Sequence, residues 1–167
     1  MARQPNSRRQ GFSLIELVIV VVIIGIIAAI AIPRMSRGTA AAGDSALAGN
    51  LSVLRNAIEL YTTEHGGTLP TGTGAQIADK LTKYTNDAGT TSDTKSASYP
   101  YGPYLRKIPP LPVGTKKSLS TIKIAATDTE TPGTTGEAWI YYPTTGEVKA
   151  NLATTEVDGK DQAYNTY

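Results

Sequence analysis

From Phe12 to Ile32 the chain reads FSLIELVIVVVIIGIIAAIAI, 21 residues carrying one charge, Glu16, and one hydroxyl, Ser13. At about 1.5 Å per residue a helix of this length spans roughly 30 Å, the thickness of a bilayer's hydrocarbon layer. The Ile and Val that fill it favour strands in water, but a lone strand in lipid leaves its backbone groups without partners, whereas a helix satisfies its own. The segment is therefore expected to be a transmembrane helix. Arg3, Arg8 and Arg9 precede it and a long polar stretch follows, so the positive-inside rule puts the N-terminus in the cytoplasm and the body across the membrane. Ala28, Ala29 and Ala31 could also be read as the cleavage site of a secretory signal. Against that, the run is longer than a usual signal core, and a carboxylate inside it costs roughly 3 kcal/mol even on lenient scales. A charge kept there implies a partner for Glu16.

The remainder is a different material. A length of 167 residues, 40% hydrophobic and 7% aromatic, suits one modest domain. Charges nearly cancel, 16 Lys and Arg against 14 Asp and Glu; without residues 1–11 the basic groups fall to 13. A body so close to neutral lacks the clustered cations that neutralise phosphates, so no nucleic-acid partner is expected. The absence of cysteine excludes disulfides, zinc-thiolate sites and a cysteine nucleophile. His65 is the only histidine, which leaves little for acid–base or multi-histidine metal chemistry, and the chain is not expected to be an enzyme. Of 23 threonines, 22 follow Tyr61, describing a turn-rich, strand-compatible region behind the apolar beginning.

The run Arg8, Arg9, Gln10, Gly11, Phe12, Ser13, Leu14, Ile15, Glu16, Leu17 resembles the processing signal of type IV pilins and type II secretion pseudopilins. It has a basic leader, a Gly immediately before a Phe, a Glu four residues beyond that Phe, and then an unbroken apolar helix. The resemblance implies that a prepilin peptidase cuts between Gly11 and Phe12 and methylates the new N-terminal Phe12. The physics of this chain agrees: such a cut removes the leader charges and keeps the whole helix. It exposes an α-amino group at Phe12, with Glu16 about 6 Å further along the helix axis. A parallel neighbour staggered by about one turn would bring its amine beside Glu16, and two buried opposite charges would fix the register. The alternative is that Glu16 only caps the first turn near the interface.

Pro33 closes the apolar run, and Gly25, Gly38, Gly43 and Gly49 interrupt what surrounds and follows it, so bending or partial unwinding is expected near Pro33. In the resembled family the helix melts around such a proline on assembly. The alternative is a helix end at the membrane surface, with Arg34 and Arg37 as anchors. Leu47, Leu51, Leu54, Ile58 and Tyr61, at spacings of four and three, predict an amphipathic helix over 44–65. Asp44 is its expected cap or first-turn acid, Arg55 and Glu59 an i,i+4 pair, and Gly66-Gly67 its stop. A short helix is expected over Ala75–Tyr84, then a variable loop reaching Tyr99. Strands are expected over Ser120–Ala126, Glu137–Tyr142 and Glu147–Ala150, the last two joined by Pro143-Thr144-Thr145-Gly146. Whether Trp139 and Tyr141 or Ile140 and Tyr142 face the helix is open. The segments Leu54–Pro70 and Gly102–Arg106 with Pro109 are similar to the helix end and sheet approach of major pseudopilins.

The expected fold is α+β, a type IV pilin-like roll: a long N-terminal helix on a small antiparallel sheet of three to four strands. Its parts are a leader (1–11), a transmembrane and filament-core helix (12–32), the second part of the long helix (33–66) and a head (67–167). His65, at a helix end, reads as structural. Asp158 and Asp161 flank a turn and are weak calcium candidates, since major pseudopilins of the resembled family often hold calcium in the head; no other cofactor is expected. Gly72-Thr73-Gly74 lacks the remaining glycine and the lysine of a phosphate loop. The nine tyrosines read as core and interface packing. The resemblance implies a filament subunit, major-pseudopilin-like, of a type II protein secretion system. Its partners would be further copies of itself, other pilins or pseudopilins, the prepilin peptidase, the inner-membrane assembly platform and, before assembly, membrane lipid. It would lie in the bacterial inner membrane with a periplasmic head before entering the filament. A type IV pilus pilin serving adhesion, motility or DNA uptake, and a signal-anchored periplasmic binding domain, are the alternatives.

Overall fold

The structure, a computed structural model, describes residues 12–133 and 135–167, and of residues 31–37 the backbone alone. The leader, including Gly11, lies outside the described residues. The chain divides into two compact units, the first ending at Thr39 and the second spanning Ala40–Tyr167.

Helix α1 (Leu14–Glu64) contributes to both. It continues through Pro33 without a break, so neither the unwinding nor the helix end expected there is present in this isolated chain. In the first unit every Leu, Ile and Val from Leu14 to Ile30 is exposed. Among the described residues no helix is long and apolar enough to cross a membrane; the described apolar side chains end at Ile30, and the helix from Leu14 to there is only about 25 Å long.

In the second unit α1 carries the expected stripe: Leu47, Leu51, Leu54, Ala57, Ile58 and Tyr61 are all buried. No helix begins at Asp44, because α1 is already running there, so that residue is not a cap. Gly66 and Gly67 stop α1 as expected. Both take positive φ, and Gly67 N–H donates to the Thr62 carbonyl at 2.8 Å, a Schellman closure that only a left-handed residue after the cap permits. Arg55 does not pair with Glu59 among the described residues. It reaches across the head to the carbonyls of Val148, at 3.2 Å, and Tyr167.

Helix α2 (Gly74–Thr82) opens with a capping box. The Thr73 hydroxyl accepts from Gln76 N–H, and the Gln76 side chain accepts from Thr73 N–H at 2.8 Å. Ile77 and Leu81 bury its inner face. The expected variable loop contains a hairpin, β1 (Tyr84–Thr85) and β2 (Thr91–Ser92), turned at Gly89 with φ 72°.

The main sheet has the order β3 (Ile122–Ile124), β4 (Trp139–Tyr141), β5 (Val148–Ala150). The α+β arrangement is as expected, and β4–β5 is the antiparallel hairpin, but β3 lies parallel to β4. The reason is the long connection through 125–138: parallel neighbours need a crossover of a dozen residues or more, whereas the four-residue turn between β4 and β5 imposes antiparallel pairing. Beside β3 stands α2, and it stands very close: a Cβ on Gly74 would lie 1.7 Å from the Ile122 carbonyl oxygen. Gly74 is there for lack of a side chain.

Both faces of β4 are buried. Trp139 and Tyr141 join the α1 stripe in the main core, while Ile140 and Tyr142 form a second cluster with Ala125 on the opposite face. A fully buried aliphatic side chain such as Ile140 contributes about 1.5–3 kcal/mol by leaving water. Trp139 Nε1–H donates to the Pro109 carbonyl at 2.9 Å, and the fully buried Asn151 ties 133 to 137 by accepting from Gly133 N–H and donating to the Glu137 carbonyl.

Candidate processing, assembly and metal sites

At the N-terminal site, Phe12 precedes α1 and is 89% exposed. Ser13 occupies the N-cap position and Glu16 the third helical position. Glu16 Oε2 accepts the Ser13 N–H at 2.8 Å, one arm of a capping box. Glu16 thus satisfies an orphan donor of its own helix, and a carboxylate in the first turn is favoured by the helix dipole. Its second oxygen and the exposed apolar surface around it are what a neighbouring helix would meet. Pro33 lies within α1, where only the backbone is described.

His65 closes α1. Its ring is buried, stacks on Tyr61 at 3.8 Å between centroids, and sets Nδ1 2.8 Å from the Tyr61 carbonyl oxygen and Nε2 3.0 Å from that of Asn86. It thereby fastens the end of α1 to the β1–β2 hairpin, a structural use. The neighbouring Tyr104 hydroxyl donates to Glu64 at 2.6 Å, and burial, then this bond, pushes its own ionisation upward.

Of the calcium candidates, Asp158 is buried and accepts donors on both oxygens. Oδ1 accepts N–H groups of Lys160 at 2.7 Å and Gln162 at 2.9 Å, and Oδ2 accepts the Tyr167 hydroxyl at 2.6 Å. The Tyr167 hydroxyl, then those amides, hold its carboxyl below the usual range. Asp161 is exposed at φ 62° and contributes its backbone N–H, donated to the Asp158 carbonyl at 3.2 Å. What the structure brings to Asp158 is Asp44 of α1, whose Oδ1 accepts the Tyr164 hydroxyl at 2.9 Å and whose Oδ2 accepts Gly159 N–H at 3.4 Å. Among the described residues no three His, Cys, Asp or Glu side chains gather into a set that could hold a metal ion. Calcium takes six to eight oxygens, and two carboxylates that already accept five hydroxyl and amide donors between them fall well short of that set, so the arrangement does not fit the ion. Asp44 was hidden from sequence reading because its spacing suits a cap as well as a tertiary acceptor. Tyr164 and Tyr167 carried no signal that separates a distant hydroxyl donor from core packing.

The described residues thus form an exposed apolar helix with one carboxylate in its first turn, followed by a small α+β head. The model of the prokaryotic N-terminal methylation motif matches residues 6–32. The chain thus carries the prepilin-type N-terminal motif and is similar to type IV pilins and type II secretion pseudopilins. It is 25% identical over 113 residues to type II secretion system core protein G of Klebsiella pneumoniae, covering 68% of this chain and 75% of that protein. To competence protein ComGC of Halalkalibacterium halodurans it is 29% identical over 83 residues, 50% of this chain and 80% of that one. To the type IV major pilin PilA of Myxococcus xanthus it is 48% identical over 59 residues, 35% of this chain but 27% of that protein. No solved structure matches the chain.

Proposed function

We propose that this chain is a major-pseudopilin-type structural subunit of a type II protein secretion filament. The observation that carries the reading is the methylation motif over 6–32 in a chain that also aligns with core protein G through much of its head. The leader is removed between Gly11 and Phe12 by the prepilin peptidase, and Phe12 is N-methylated. The mature helix waits in the inner membrane, head in the periplasm, until the assembly platform transfers it to the filament. The step is mechanical: apolar side chains leave lipid and bury against other helices, so burial is exchanged for burial at little hydrophobic cost. Register comes from the Phe12 amine of one subunit meeting Glu16 of the next. No catalytic role is proposed for any residue.

Intact mass of the membrane-extracted protein, from cells with and without the prepilin peptidase, tests this. Loss of residues 1–11 plus one methyl, only when the peptidase is present, is expected; an unprocessed chain in both strains would overturn the reading. The PilA match supports a second reading, a pilus subunit. Deleting the gene separates the two: lost protein secretion with intact surface pili favours the first, the converse the second.

A further inference from the structure

We infer that residues 157–167 form a latch closed on α1 by the chain's own donors, the Tyr164 hydroxyl on Asp44 and the Tyr167 hydroxyl with two amides on Asp158, so that the head holds this segment without a bound cation. Each of these carboxylates takes donors on both of its oxygens. A carboxylate has about four lone-pair positions; with three taken on Asp158 and two on Asp44, the pair could offer an ion only about three without losing these donors, short of the six to eight oxygens calcium takes. Hydroxyl and amide donors do for these charges what an ion would otherwise do: they offset the cost of burying Asp158 and half-burying its neighbour Asp44.

The latch is more than its two acid–hydroxyl pairs. Tyr164 is buried in the main core and Tyr167 packs against it, so the rings that carry the hydroxyls are themselves anchored. Their geometry is fixed by a 3₁₀ turn (Tyr164–Thr166), and Asn165 Nδ2–H donates to the carbonyl of the fully buried Leu152 at 3.2 Å. On the other side, Arg55 of α1 joins the Tyr167 carbonyl to that of Val148 in β5. One helix therefore grips the segment at two points eleven residues apart, Asp44 and Arg55, about 16 Å along its axis. The ionisation states suit the task. Burial, then the Asp44 bond, pushes the Tyr164 hydroxyl up to about 12, and the Asp158 bond, then burial, does the same to Tyr167, while Asp158 is held low. Donor and acceptor keep their roles across the physiological range.

The test uses the full chain in detergent micelles, followed by near-UV circular dichroism on heating, with EGTA or with millimolar Ca²⁺. The wild type is expected to melt within about 1 °C in the two conditions, and Tyr164→Phe and Tyr167→Phe each about 4 °C lower in both. A Ca²⁺-induced rise of several degrees in the wild type would overturn the inference, as would unchanged melting of both variants. Hydrogen exchange of the Lys160 and Gln162 amides in EGTA gives a reading that needs no variant: slow exchange is expected, and exchange at the rate of an open loop would overturn the latch.

Discussion

Residues 14–30 are mostly Leu, Ile and Val and the head from Ala40 onward is far sparser in them, yet the two dispose of them in opposite ways. In the first every such side chain is exposed, and the helix is held by its own backbone and by one Glu16 cap. In the second most of them enter a core built from α1, α2 and the sheet, pinned by Trp139, Asn151 and the latch, and only a few, such as Leu60, stay exposed. The difference teaches that hydrophobicity alone does not make a core. The helix over 14–30 presents apolar residues on all sides with no second layer among the described residues to cover them; in the function proposed above, lipid and then other subunits supply it. The head supplies its own second layer.

Substituting Glu16 should separate the two regions most sharply. Glu16→Leu keeps the apolar helix but removes the charge, and filament yield counted by electron microscopy is expected to drop at least about tenfold, with the head's melting unchanged within about 1 °C. A wild-type yield would end the register role assigned to Glu16. Trp139→Ala does the reverse. It is expected to destabilise the head by about 4 kcal/mol in urea unfolding followed by near-UV circular dichroism, leaving the far-UV helical signal of the N-terminal segment in place. Gly74→Ala, which forces a methyl against the Ile122 carbonyl, should cost about 2–3 kcal/mol by the same measurement. Free tolerance of alanine would mean that α2 and β3 separate easily.

A pH series probes the latch within the head. Tyr164 and Tyr167 ionise near pH 10 when unfolded and at about 12 when folded. Their raised values mean that the stability they contribute is fully present below pH 10 and is lost as pH rises from there through about 12. Asp158 is lowered in the fold, so its contribution is present above about pH 4 and is lost as pH falls below it. Melting temperature against pH should therefore fall at both ends, and Tyr167→Phe should make the alkaline fall shallower. The smallest effect is expected at Leu60, exposed on α1: Leu60→Gln should change head stability by no more than about 0.5 kcal/mol.

Much of this was legible in one dimension because it depends on local periodicity. The apolar run, the four-and-three stripe from Leu47 to Tyr61, the Gly66-Gly67 stop and the β4–β5 hairpin each rest on neighbours within a few residues, where spacing dictates which side chains share a face. The N-terminal motif was legible for the same reason, and the methylation-motif model matches residues 6–32. The parallel placement of β3, the choice of Trp139 and Tyr141 for the helix side, the missed β1–β2 hairpin and the reach of Arg55 to Val148 depend on what a long connection brings alongside. So does the Asp44, Asp158, Tyr164 and Tyr167 cluster: its members lie up to 123 residues apart, and nothing local distinguishes an aspartate that caps a helix from one that receives a distant hydroxyl. Sequence determined which segments are apolar and where they turn; only the tertiary structure decided which polar groups meet, because a hydrogen bond is set by a few ångströms in space and leaves no period along the chain.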